Sequence, residues 1–342
     1  MINKKCLLLI VFLLVLLFAV GCSSSAESEG EGVSPDKAEA SPEEESTTET
    51  SDANKGGNIP DGFRVTTIGT GSPPIEGGKT WPATLVQYQD KNFIVDCGGG
   101  CTHGLAKTGI HPREVSNLLF THHHVDHNSD FITALIAGWA TSNPRTELNL
   151  LGTEGTKKKF YDFVIDFYKD DIEYRIKTGY TKADGMTENV NVQDLSGGEE
   201  FEIDGVKIST TPVPHSIETI AYKFEAGGQT VVLSGDLKYD EAFIDFTKDA
   251  DLLVMDGMLA EVKEGDSFYE EFQNIKPQLS SAHLTLEEIG KIAAKADVKQ
   301  VVLNHLMNGE IDADLTSEII KEQGYEGKVI VSETLGEYEV EQ

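Results

Sequence analysis

Four histidines crowd into the six residues from His122 to His127, in the run THHHVDHN, and all nine histidines of the chain lie after residue 100. Imidazole and carboxylate are the usual protein ligands of zinc and related divalent ions. A run of this kind constrains the fold through the partners it lacks, because further donors must arrive from distant parts of the chain. Candidates stand at the ends of apolar, strand-like runs: His215 in PVPHS, Asp236 in VVLSGD and His305 in VVLNHL. A fold whose strand ends converge on one face would carry them to the first cluster. In an extended segment side chains alternate, so His122 and His124 face one way and His123 the other. Asp126 and His127 are expected in the loop that follows, as a second set of ligands.

The rest of the pattern supplies such strands. From Phe63 onward, FRVTTIG, ATLVQYQ, KNFIVDCGGG and VSNLLFTHHH are short β-rich runs broken by glycine or feeding loops. Ser129 to Ala140 and Thr156 to Tyr168 fit helices with one apolar face. A second series of strands follows in EEFEIDGVKISTTPV, ETIAYKFEAGGQTVVLSGD and DADLLVMDG, with a short helix around Tyr239 to Thr247. Thr285 is placed to cap a helix reaching Ala296, with Glu287 and Glu288 in its first turn. QVVLNHL and KVIVSET close the series, and Lys177 to Gly198 reads as its least regular piece. The expectation is an α/β chain with two sheets, helices outside them, in a single domain over residues 61–342.

The N-terminus reads as an address. Met1 to Lys5 is basic, an almost unbroken apolar run follows from Cys6 to Val20, and small residues lead to Gly21-Cys22. The run is shorter than the roughly 20 residues that span a bilayer comfortably, so a cleavable export signal fits residues 1–22 better than a transmembrane anchor. AVGC resembles a bacterial lipobox, which implies lipidation of Cys22 and an exported protein held at a cell membrane. Residues 23–60 carry ten acidic groups against Lys37 and Lys55 and almost no large apolar side chain. Such a stretch cannot offset its chain entropy by burial and reads as a disordered acidic tether.

Over the whole chain 58 Asp+Glu stand against 28 Lys+Arg, a formal net charge of −30. That excess repels polyanions at long range, which makes nucleic acid an unlikely partner and a small-molecule ester the expected substrate. The four cysteines are too few for a disulfide scaffold. Cys97 and Cys101 flank three glycines, either as a tight disulfide or as two buried thiols, and the glycines are expected to let the backbone pass close to the site. GTGSP reads as a strand-ending turn, His103 and His111 as surface or capping residues, His123 as a packed or solvent-facing neighbour, and Lys157 to Lys159 as a solvated helix face.

Taken in order, HxHxDH at His122 to His127, the later lone histidine, the strand-end aspartate and the final histidine resemble the metallo-β-lactamase superfamily. IGTGSP, VDCGGG and SAHLTLEEIGKIAAKADVKQVVLNHL look most like its ribonuclease Z and arylsulfatase-like branch. The resemblance implies a four-layer αββα sandwich. It places one divalent ion on His122, His124 and His215 and a second on Asp126, His127 and His305, with Asp236 bridging both. Zinc is the implied metal, with manganese or iron as alternatives. It further implies that Asp126 orients a metal-activated water, that His283 with Thr285 serves the leaving group, and that Asp256 assists where the family has glutamate. A homodimer is compatible with it. The activity it implies is dinuclear hydrolysis of phosphodiester or sulfate ester bonds. The alternatives are ribonuclease Z-type processing of tRNA 3' ends, lactone or thioester hydrolysis, and a non-catalytic metal-binding surface lipoprotein.

Overall fold

The computed structural model describes residues 62–73 and 79–340. The segments read as a signal, with Cys22, and as a tether lie outside the described residues. Strands β1 (Phe63–Gly69), β2 (Ala83–Tyr88), β3 (Lys91–Val95), β4 (Asn117–Phe120), β5 (Leu148–Gly152), β6 (Val190–Asp194) and β14 (Gly336–Glu339) form one sheet, in the order β14-β1-β2-β3-β4-β5-β6. The other sheet joins β7 (Glu200–Ile203), β8 (Val206–Val213), β9 (Thr219–Ala226), β10 (Gln229–Leu233), β11 (Leu252–Asp256), β12 (Gln300–Asn304) and β13 (Lys328–Val331), in the order β13-β12-β11-β10-β9-β8-β7.

The layering follows from which neighbours each strand face buries. Phe93 and Val95 of β3, Leu119 of β4, Phe224 of β9 and Val231 and Leu233 of β10 share one cluster between the sheets. The alternate residues point outward: Ile94, Leu118 and Leu150 pack with Leu105, Leu135, Phe160 and Ile172 from helices on one side. Val232, Leu253 and Leu303 pack with Phe243, Ile289, Ile292 and Ile320 on the other. Strands buried on both faces read as continuous apolar runs, which is why they were visible in sequence without an alternating pattern. The helices are α1 (Cys101–Lys107), α2 (Val125–Asn128), α3 (Phe131–Trp139), α4 (Thr156–Phe160), α5 (Lys169–Lys177), α6 (Glu241–Phe246), α7 (Tyr269–Leu279), α8 (Leu286–Lys295) and α9 (Ala313–Lys321). The result is the expected paired-sheet sandwich with helices on its outer faces.

Direction positions the chemistry. β3, β4, β5 and β6 run parallel, as do β10, β11, β12 and β13, while β8 and β10 flank β9 antiparallel to it. The C-terminal ends of β3, β4, β8, β10, β11 and β12 therefore open toward the crevice where an α/β sheet usually binds its ligand. Gly227 and Gly228, both with positive φ (59° and 79°), make the two-residue turn between β9 and β10 that keeps this register.

Local structure departs from expectation in four places. Asp126 and His127 sit in α2, a helical turn, rather than in a loop. The helix expected to run from Thr156 to Tyr168 is α-helical only to Phe160 and then widens into a π-helical turn, Tyr161–Asp166. That turn buries Val164 while Tyr161, Phe163 and Phe167 face solvent. The irregular stretch after Lys177 includes edge strand β6, and α7, with Pro277 inside it, had no apolar periodicity strong enough to announce it. Thr285 does cap α8, in a box whose hydroxyl accepts from the Glu288 amide while Glu288 accepts from the Thr285 amide.

Phe224 is fully buried and meets Phe93 across the sheets with ring centroids 5.6 Å apart. Phe224→Ala should lower unfolding stability by about 3–5 kcal/mol, read as a lower urea midpoint at unchanged slope.

Candidate metal centre

Each proposed ligand follows a strand end. His122 and His124 come just after β4, Asp126 and His127 on α2, His215 after β8, Asp236 after β10 and His305 after β12. Two clusters result, sharing Asp236. In the first, Nε2 of His122 lies 3.1 Å from Nδ1 of His124, which lies 3.3 Å from Nε2 of His215. Asp236 Oδ2 stands 3.8 Å and 3.7 Å from the His122 and His215 nitrogens. In the second, Asp126 Oδ2 is 3.1 Å from His305 Nε2 and 3.6 Å from His127 Nε2. Asp236 Oδ1 is 3.4 Å from the same His127 nitrogen, and its Oδ2 is 3.6 Å from His305 Nε2. His305 adopts a left-handed φ of 58°, sparsely populated by residues other than glycine, to turn its ring back into this group.

Most of the opposite ring nitrogens are tied down, as is usual for metal-ligating histidines, whereas His305 Nδ1 is buried without a hydrogen-bond partner. His127 Nδ1 donates to Asp96 at 2.8 Å, His215 Nδ1 donates to the Ala282 carbonyl at 3.0 Å, and His122 Nδ1 meets the Thr121 hydroxyl at 3.0 Å. In the neutral form of His127 that binds metal, with Nδ1 donating to Asp96, its Nε2 is an acceptor. That atom is buried and has no hydrogen-bond partner. Facing two carboxylates and an imidazole, that nitrogen stands where positive charge is favoured, which suits a ligand of a divalent cation.

Charge agrees with the geometry. Burial holds His122, His124 and His215 below the usual imidazole range, in the neutral form that binds metal. Burial also disfavours a charged His127, but the carboxylates of Asp236 and Asp96 outweigh it and raise its pKa well above the ordinary value. The same negative field would hold a divalent cation. Asp236 is held well below the carboxylate range against its burial, chiefly by His305 and His127.

His283 lies beside this group, its ring centroid 5.3 Å from that of His215 and 5.7 Å from that of His305. Its Nδ1 donates to Asp256 Oδ2 at 2.7 Å. Burial pushes His283 down, yet Asp256 prevails and lifts it to about 9, so it carries a proton at neutral pH. Asp256 ends β11, and its carboxylate also accepts from the Met258 amide at 3.0 Å. It holds His283 and is a positioning residue rather than one that meets substrate directly.

Asp96 was not anticipated as part of the site. Its carboxylate accepts from the Thr121 amide, the Thr121 hydroxyl and His127 Nδ1 at 2.8, 2.7 and 2.8 Å. It too is an acid at the end of an apolar strand, KNFIVD, the same signal that pointed to Asp236. Cys97 and Cys101 form a disulfide. A Cβ on Gly98 would meet the Asp126 carbonyl at 1.9 Å, so the expected close backbone passage is real. His111 caps a 3-10 turn, His103 is exposed, and His123 turns away from the ligands to Thr153 and Thr156. GTGSP is the strand-ending turn, with Ser72 bonded to the Leu306 carbonyl.

A beta-lactamase superfamily domain matches residues 91–306, which include every one of these ligands. The chain belongs to the metallo-β-lactamase superfamily. Within it, similar proteins include ribonucleases Z. Ribonuclease Z of Mycobacterium sp. (strain KMS) is 30% identical over 248 residues, covering 72% of this chain and 84% of that one. Ribonuclease Z of Mycobacterium bovis (strain BCG / Pasteur 1173P2) is 30% identical over 249 residues, 71% and 85% of the two chains. The metallo-β-lactamase fold protein YhfI from Bacillus subtilis aligns with a TM-score of 0.62 at 18% identity, over 81% of this chain and 98% of that one. Human tRNase Z, short form, aligns at 0.57 and 16% identity, over 82% and 100%. This superfamily member is a metal-dependent hydrolase of the ribonuclease Z-like branch.

The branch corrects one expectation. Net charge is no ground for setting nucleic acid aside in a chain this similar to ribonucleases. Charges far from a site are screened within about 8–10 Å, whereas a phosphate at the centre would meet whatever cations lie there.

Asp236 is the one carboxylate that reaches both clusters. In protein loaded with an added divalent metal, Asp236→Ala should lower the metal retained per chain after dialysis against a weak chelator, measured by elemental analysis.

Proposed function

We propose that the chain is a phosphodiesterase that cuts RNA in the manner of ribonuclease Z. The observation that carries this reading is the 30% identity to ribonuclease Z over 72% of a chain that gathers two ligand clusters with His283 beside them. His122, His124 and His215 would hold one divalent cation and Asp126, His127 and His305 the other, with Asp236 between. Bound there, the cations would supply Lewis acidity toward a phosphoryl oxygen and a water that ionises near neutral pH.

The chain's own residues account for the proton movements. Asp126, held below the ordinary carboxylate range against its burial by His305 and His127, is ionised and available to orient the attacking water. His283, fixed through Nδ1 by Asp256, which favours its protonated form, would present Nε2 to the leaving oxygen. Asp256 keeps that ring in place and offsets its charge. A protein that only stored metal would have no use for such a donor. The apolar run before Cys22 supports an exported, lipid-anchored location, where the RNA met would be extracytoplasmic rather than a cytoplasmic tRNA precursor.

Purified chain loaded with zinc or manganese should cleave a 3'-extended RNA hairpin and a bis-aryl phosphate, and chelation should abolish both activities. Turnover of aryl sulfate or lactone alone would overturn the phosphodiester reading. His283→Ala should lower kcat by about 10²–10⁴-fold with two metals still bound, since removal of a proton donor has effects of that size. Loss of metal in that variant would refute the role given to His283.

A further inference from the structure

The second ligand cluster hangs on a six-residue loop, Asp96 to Cys101, that the proposed chemistry does not itself use. Asp96, at a left-handed φ of 58°, grips His127 Nδ1 and both donors of Thr121. The next residue, Cys97, donates its amide to the His127 carbonyl at 2.7 Å and accepts from the Asp130 amide at 3.0 Å. Gly98 lies against the Asp126 carbonyl, too closely for any side chain, and donates to the Pro82 carbonyl at 2.9 Å. Asp130 returns the contact, its carboxylate accepting from the Thr102 amide at 2.8 Å. The C-terminal half of α2, the turn that carries Asp126 and His127, and the chain just beyond it are thus bonded to this loop. The loop is closed by the Cys97–Cys101 disulfide, whose Cα atoms are 5.2 Å apart and whose cysteines are buried.

The first cluster is held differently. His215 is fixed by the Ala282 carbonyl and His124 by the Ser216 hydroxyl, neither of them on this loop, and His122 reaches it only through Thr121. A disulfide between residues four apart closes too short a loop to restrict the unfolded chain much. Its effect is therefore local.

We propose that the Cys97–Cys101 disulfide is a positioning bond for the second metal half-site, selectively securing the cation held by Asp126, His127 and His305. This rests on the two-cation reading of the centre. With the bond present, Asp96 and the Cys97 amide are held at the distances His127 needs. With it absent, the three glycines leave that loop free to swing, and His127 loses the acceptor that fixes its tautomer.

The test compares the oxidised chain, the Cys97→Ala/Cys101→Ala variant, and the chain reduced by a water-soluble trialkylphosphine. In the reduction the phosphine takes an oxygen from water to become its oxide, while the two sulfurs take up the two protons and become thiols. Zinc stoichiometry, stepwise affinity by chelator competition and the visible spectrum of the cobalt-loaded protein are measured on each, with circular dichroism to verify folding. The oxidised chain should hold two cations. The other two forms should hold the first with little change and the second about 10–100-fold more weakly, the range typical of lost outer contacts. Two cations bound with unchanged affinities would overturn the proposal even if the melting temperature fell, and so would equal weakening of both. Should the double variant not fold, the reduced wild-type chain decides by the same criteria. Fewer than two cations in the oxidised chain would instead refute the two-cation reading.

Discussion

A buried carboxylate between two groups of imidazoles is the constraint around which this molecule is arranged. Asp236 is nearly inaccessible to solvent and remains ionised, which in an apolar interior is costly unless positive charge stands close by. Everything near it serves that need. Strand ends from both sheets deliver five histidines to its surroundings, and a further set of acceptors, Asp96, Asp256 and the Ala282 carbonyl, orients rings from behind. The sandwich core between the sheets fixes the seam at which these ends meet, so the packing of residues such as Phe93 and Phe224 is a condition of the chemistry and not only of stability.

How much of this could be read without coordinates depended on the kind of signal. Ligands at the ends of apolar runs were legible because each combined a polar residue type with a change of pattern: His122 and His124 after NLLF, His215 after TTPV, Asp236 after TVVL and His305 after QVVLN. Asp96 carries the same signal, but the three glycines and two cysteines that follow it are the pattern of a turn and mask it. The role of a residue that touches another residue rather than a metal has no motif of its own. Its partner, His127, lies 31 residues away.

Local backbone choices were harder still. Helix α2 is too short to show a period, and the π-helical turn after Phe160 leaves the residue types of an ordinary helix in place while changing which of them face the sheet. Helix α7 has a proline near its end and a mostly polar surface, so the packing of Phe272 beneath it, not propensity, decides its existence. Net charge misled for a different reason. It sums groups over the whole chain, whereas recognition at the centre depends on the few that lie within a screening length of it.

The division of ligands between the sheets has a consequence for how the protein is made. His122, His124, Asp126 and His127 come from the first sheet, and His215, Asp236 and His305 from the second, with His305 beyond the eleventh and twelfth strands. A nascent or truncated chain that ends before residue 305 has most of the donors but cannot close the second group. Completion of the centre thereby waits on synthesis past β12, with only α9, β13 and β14 still to follow.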